Sequence, residues 1–256
     1  MKLRLLLVLL GFTCAAILPA AEPAKPTHAG KQPVLVTVHG AWAGGWHFKK
    51  VAPLLEAKGW KVYRPSLSGL GEHFNTARTD IGLATHIDDI VNFILFEDLH
   101  DVILLGHSYG GMVITGVADR IPEQIAKLVY LDAMVPNEGD SAIALMGNRI
   151  PVAQMTKDGM IVPNWVKPGK PFPIDVPHPL KTFTDSIVLK NQAAAAKIPA
   201  TYILTVETGK KPEDDAFYPS AERAKARGWP VIIMEGDHNP HWRQPAALVE
   251  LLGGVR

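Results

Sequence analysis

The chain has 256 residues, 47% of them apolar, which suits one sizeable core carrying an insertion. Its 26 basic residues against 25 acidic ones leave a formal net charge of +1, so no field of one sign favours nucleic acid or an anionic membrane surface. The expected partner is a small, largely uncharged molecule.

Lys2 and Arg4 precede an apolar run from Leu5 to Leu18 and then small residues at Ala20 and Ala21. This is the order of a secretory signal peptide at 1–21, and the run is short for a membrane span. An uncleaved anchor is the competing reading. Residues 22–31 read as a flexible lead-in to a domain at 32–256, exported to the periplasm or beyond, with no stable membrane anchor. The only cysteine, Cys14, would leave with the signal, which excludes a disulfide framework, a thiolate nucleophile and a cysteine zinc site.

The run VLVTVHG from Val34 predicts a first strand, and a helix-like stretch follows at about 46–58. WKVYRP is a second strand, SLSGLGEH a glycine-rich turn, and 83–96 a helix with Asp80 or Thr85 as its capping residue. DVILLGHSYGG is an apolar strand running into a tight turn, MVITGVADRIP a helix, and KLVYLDAMVP, TYILTVE and PVIIMEGDH are further strands. Helices alternating with continuous apolar strands predict a doubly wound, mostly parallel sheet covered on both faces. The alternation stops at about 135–198, where prolines from Pro136 to Pro179 interleave with Met146, Trp165, Phe172 and Phe183. So long an apolar stretch reads as a cap, inserted after the sixth strand.

Gly106-His107-Ser108-Tyr109-Gly110 is a G-x-S-x-G pattern between a predicted strand and a predicted helix. Such a sharp turn lifts a serine oxygen out at the carboxyl end of the sheet and aims the next N–H, that of Tyr109, at a developing oxyanion. A serine hydroxyl needs a base. Of ten histidines, only His238 directly follows the last strand, in MEGDH, the expected place for the base. His107 reads as fixed in the turn and His39 as the end of the first strand. His28, His47, His73, His86, His100, His178 and His241 read as exposed or locally bonded. No H-E-x-x-H, carboxylate cluster or cysteine pair is present, so no metal and no cofactor are expected, and the GLG at Gly69–Gly71 is too short for a nucleotide fingerprint.

The fragments VTVHGAWAGGW, RPSLSGLGEH, DVILLGHSYGGMVITGVADRIPEQIAKLVYLDAMVP and MEGDH resemble the α/β-hydrolase family, close to plant methylesterases and hydroxynitrile lyases. The resemblance implies the α/β-hydrolase fold and a second oxyanion N–H two residues after the HG histidine, at Ala41. It leaves the triad acid open. Asp132, after KLVYL, resembles the alternative acid position of some haloalkane dehalogenases, and Glu207 follows TYILTV, where plant esterases carry aspartate, although Thr208 aligns there. Asp132 is preferred, because a carboxylate after so apolar a strand needs a buried partner. Glu213, Asp214 and Asp215 read as a solvated acidic face.

The resulting expectation is an exported serine esterase acting on a small uncharged ester or lactone, with Trp165, Met134, Met146 and Phe172 lining its pocket. Two alternatives share the fold: a carbon–carbon lyase of the hydroxynitrile type, for which Lys210 or Lys211 would supply the extra lysine, and a catalytically slow ligand-binding relative. If 1–21 is a cleaved signal, intact-mass measurement of protein from an exporting host gives a chain that begins between Ala20 and Lys25 and contains no cysteine. A mass corresponding to Met1–Arg256 would contradict it.

Overall fold

The computed structural model describes residues 32–255; the signal and lead-in read at 1–31 lie outside them. In chain order the first half forms β1 (Val34–Val38), α1 (Ala52–Glu56), β2 (Lys61–Tyr63), α2 (Leu83–Phe96), β3 (Val102–His107), α3 (Gly110–Arg120) and β4 (Ile125–Leu131). The segment that follows holds α4 (Ala142–Met146), α5 (Val152–Met155), β5 (Thr156–Lys157), β6 (Met160–Ile161), β7 (His178–Pro179), α6 (Lys181–Thr184) and α7 (Gln192–Ala195). The chain closes with β8 (Ala200–Val206), α8 (Tyr218–Ala226), β9 (Val231–Glu235), α9 (Pro240–Arg243) and α10 (Pro245–Gly254).

Six strands form one parallel sheet in the order β2-β1-β3-β4-β8-β9. The central strands are apolar on both faces because both faces are covered. Val36, Val38, Leu104, Leu128, Tyr130, Tyr202 and Leu204 pack with α2 and α3, while Leu35, Leu105, Val129, Leu131 and Ile203 pack with Phe48, Leu55, Trp60, Leu248 and Leu252. The order reverses at β1 and β3, which opens a crevice at the carboxyl ends of the strands, where doubly wound sheets bind their ligands.

Three expectations are corrected. The stretch at 46–58 is not one helix but a 3-10 turn (Gly45–Phe48) followed by α1, because Pro53 has no N–H to continue the earlier turn. The residue capping α2 is Gly82, not Asp80 or Thr85. Asp80 pairs with Arg78, Thr85 reaches back to the Gly82 N–H at 3.4 Å, and Asp185 accepts from the Leu83 N–H at 3.2 Å. The segment 135–198 follows the fourth strand rather than a sixth, since two of the six sheet strands come after it.

That segment carries a small antiparallel sheet in the order β5-β6-β7. Val152, Met155, Ile161, Val176, Phe183 and Ile187 are buried in the same core as α2 and α3. Phe172, expected in the pocket, instead lies exposed with its ring 5.6 Å from that of Phe74.

α3 meets the chain leaving β4 so closely that a Cβ at Gly111 would stand 2.0 Å from the Met134 carbonyl oxygen. Gly111→Ala must therefore push apart the two segments that carry Ser108 and Asp132. The expected cost is about 3 kcal/mol in chemical denaturation. A variant as stable as the parent would show that this contact does not constrain the fold.

Candidate active site

β3 ends at His107, and the chain turns at once into α3. The turn residue, Ser108, has a φ of 55°, in the left-handed region that non-glycine residues rarely occupy. Its backbone is pinned from β4: Ser108 N–H donates to Leu131 O at 3.3 Å, and Ser108 O accepts from Met134 N–H at 3.0 Å. At Gly110 a Cβ would lie 2.6 Å from Val38 O, so only glycine lets the start of α3 pass this close to β1.

Asp132 is wholly buried just beyond β4, also with a positive φ, of 44°. Its Oδ1 accepts from the Thr205 N–H at 3.1 Å, and its Oδ2 accepts from His238 Nδ1 at 2.6 Å. A carboxylate can only accept, so the proton sits on Nδ1 and His238 Nε2 is left with its lone pair. The His238 ring is stacked on Phe217 at 4.8 Å with an interplanar angle of 6°. The strand end carrying Asp132 is clamped by the Tyr202 hydroxyl, which donates to Ala133 O at 2.8 Å and accepts from Ala133 N–H at 3.0 Å.

The other acid candidate is placed elsewhere. Glu207 is exposed and pairs with Lys210 at 2.6 Å, and Thr208 donates to Glu235 at 2.5 Å. Asp215 departs from the solvated face expected of its run. It lines the same cavity as Ser108, accepts from the Phe217 N–H at 2.7 Å, and has its carboxyl pushed up by burial and by the neighbouring Asp132 charge.

That cavity, about 480 Å³, is lined by Ser108, His238, Ala41 and Tyr109 together with Trp42, Trp165, Met134 and Met146. Among the described residues, neither the Ala41 nor the Tyr109 N–H has a protein acceptor. Both amides belong to segments held firmly from behind. The Trp42 N–H, next to Ala41, donates to His178 Nδ1 at 3.1 Å, and the Trp42 indole N–H donates to Ile161 O at 2.9 Å. The Tyr109 ring stacks on Phe183 at 5.5 Å, and its hydroxyl donates to His86 Nδ1 at 3.0 Å.

Four histidines read as exposed or locally bonded are packed inside. His86, His178 and His241 are fully buried, and His47 is mostly so. His47 Nδ1 and His241 Nε2 lie 3.1 Å apart, and both rings neighbour that of His107, which ends β3 rather than standing in the turn. The sequence spacing concealed this cluster, since the three histidines come from a 3-10 turn, the end of β3 and α9. His39 donates from Nδ1 to Gly40 O at 2.8 Å and accepts at Nε2 from Leu67 N–H at 3.1 Å, locking the turn that leads to Ala41.

The family model described as the alpha/beta hydrolase family matches residues 35–251, so the chain belongs to the α/β hydrolases. It is 51% identical over 116 residues to a carbendazim-hydrolysing esterase from a Nocardioides strain, covering 45% of this chain and 48% of that protein. The chain thus spans about half the length of this relative. It is 25% identical over 258 residues to the pFDCC methylesterase of Arabidopsis thaliana, covering 87% of this chain and 95% of that protein. Among solved structures, an extracellular α/β-hydrolase from a Paenibacillus species superposes with a TM-score of 0.72 at 23% identity, covering 87% of this chain and 98% of that one.

Burial lowers His39 and His86 from the ordinary value of 6.5 to about 4. The unfolded chain therefore takes up protons between pH 6.5 and about 4 that the folded chain refuses. The contribution of these two side chains is complete above the unfolded value, falls as the pH drops through this window, and levels off below it. Urea midpoints measured at pH steps from about 7 to 4 are expected to decline by an amount equivalent to several kcal/mol, and a flat profile would contradict neutral buried imidazoles.

Proposed function

We propose that the chain is a serine esterase that cleaves a small carboxylic ester or lactone through an acyl-enzyme. The observation that carries this reading is the 2.6 Å bond from His238 to the buried Asp132, in the same cavity as a strained Ser108 at a strand-to-helix turn. The names of the similar proteins, esterases and methylesterases, support ester bonds as the substrate class.

In this reading His238 Nε2 takes the Ser108 proton as Oγ attacks the ester carbonyl. Asp132 holds the ring in the required tautomer and stabilises the imidazolium. The Ala41 and Tyr109 N–H groups receive the oxyanion; two such donors, fixed in advance, contribute several kcal/mol each to lowering the barrier. The imidazolium then protonates the leaving alkoxide, and water activated by His238 clears the acyl group. For a lactone the same steps open the ring, and the alcohol stays tethered until deacylation. Trp42, Trp165, Leu145, Met146, Ile150 and Phe217 make the cavity wall apolar and partly aromatic, which suits an uncharged ester with an apolar acyl or alcohol group. Residues 135–198 act as the cap over this cavity, and the amino-terminal segment exports the enzyme. Among the described residues no lysine lines the cavity, and Lys210 is engaged by Glu207, which favours hydrolysis over lyase chemistry.

The test is p-nitrophenyl ester hydrolysis together with fluorophosphonate labelling. Ser108→Ala is expected to abolish both. Asp132→Asn, once its thermal unfolding shows an intact fold, is expected to lose about a thousandfold or more in kcat, while Glu207→Gln stays near the parent rate. Labelling that survives Ser108→Ala, or a full-rate Asp132→Asn enzyme, would overturn the assignment.

A further inference from the structure

Beside His238, three more imidazoles converge. His47, His107 and His241 each present a ring nitrogen within 4.8 Å of the others. Three polar atoms in this group have no hydrogen-bond partner. His107 donates from Nε2 to the His238 carbonyl oxygen at 2.7 Å, so its Nδ1 is a bare lone pair, and that atom is buried without a partner. His241 Nδ1 is likewise buried without a partner. Asp175 Oδ1, also buried and without a hydrogen bond, stands 3.8 Å from His47 Nε2. Buried polar atoms without partners are uncommon in folded proteins and call for an explanation.

We propose that His47, His107 and His241 bind a divalent transition-metal ion, with Zn²⁺ as the probe of choice, and that occupancy of this site suppresses turnover. The first half stands independently of the esterase reading, and the second rests on it.

The chemistry of the donors fits such an ion. Imidazole nitrogens bind Zn²⁺, Cu²⁺ and Ni²⁺, and these three rings converge in a pocket where His107 and His241 are buried and His47 is nearly so. Zn–N bonds of about 2 Å place ligand nitrogens roughly 3.3 Å apart, close to the separation of His47 Nδ1 and His241 Nε2. Metal-binding histidines characteristically donate their second N–H to a carboxylate or a backbone carbonyl. Asp175 is placed to receive the His47 Nε2 proton, and the His238 carbonyl already receives that of His107. On binding, the one proton shared between His47 Nδ1 and His241 Nε2 moves to the far nitrogen of its own ring, so both lone pairs become available with no net loss of protons. His47 and His107 line the Ser108 cavity, which supplies the entry path.

The consequence for turnover follows from position. The His107 ring lies 4.6 Å from that of His238 and 4.3 Å from that of His241. A dication among these rings opposes formation of the His238 imidazolium, the charge that ester cleavage requires.

The experiment is equilibrium dialysis of the whole chain against Zn²⁺, with Co²⁺ absorption spectra to report nitrogen coordination, alongside ester hydrolysis. One ion per chain is expected, with affinity falling about tenfold or more in His241→Asn and in His47→Gln, variants checked first by thermal unfolding. The parent enzyme is expected to slow about tenfold or more at saturating Zn²⁺, and His241→Asn to keep its own metal-free rate under the same conditions. Failure of the parent to bind, or unchanged affinity in both variants, overturns the site. Equal inhibition of parent and His241→Asn overturns its effect on turnover. Specific binding by a chain that hydrolyses no ester would leave the site standing and remove the esterase reading instead.

Discussion

A carboxylate with no solvent exposure has to have its charge answered by the protein, and Asp132 is the residue on which this requirement falls. The answer comes from two directions, the Thr205 amide in β8 and the His238 imidazole beyond β9, while the Tyr202 hydroxyl fastens the neighbouring Ala133 backbone. The Asp132 amide is itself held by Ile203 O at 2.7 Å. These bonds tie the carboxyl ends of β4, β8 and β9 into one unit, to which Ser108 is added through Leu131 and Met134. Of these bonds, only those from Thr205 and His238 depend on the carboxylate itself.

The strain in the backbone is gathered at the same end of the sheet. Of the six non-glycine residues with positive φ among those described, Trp42, Ser108 and Asp132 line the cavity. Each follows closely on the end of a central strand, and each is over-determined by bonds from neighbouring segments, the condition under which such conformations persist. The remaining three, Asp98, Asp101 and Asp158, are short polar residues of types that tolerate this region.

What could be read in the sequence follows from how local each signal was. The six strands, α2 and the elbow around Ser108 were legible because apolar runs, helical periodicity and a glycine-flanked serine are patterns within a few residues. Asp132 was only half legible. Its position after a fully apolar strand implied burial, but nothing in the sequence states that His238, 106 residues away, would be the partner, and the strand end at Glu207 offered an equally acidic rival. The buried histidines were scarcely legible, since isolated polar residues read as solvated until the chain is folded. The one available hint was His241, three residues beyond His238 in a segment with apolar Trp242 beside it. The elements between β4 and β8 are short and rich in proline, and their packing is set by α2 and α3 rather than by their own periodicity.

Trp42 is the residue in which these two parts of the chain are least separable. It directly follows Ala41 at the end of β1, yet its amide and indole N–H groups are bonded to His178 and Ile161, and its carbonyl accepts from the Val176 N–H at 2.8 Å. The sheet carries this residue, while the segment between β4 and β8 holds it in place. Exchanging that segment for another of different shape would remodel the cavity wall and, in the same act, release the turn that presents the Ala41 amide. The sheet and this segment are thus coupled through Trp42, whose ring also meets that of the exposed Trp165 edge-on at 5.0 Å.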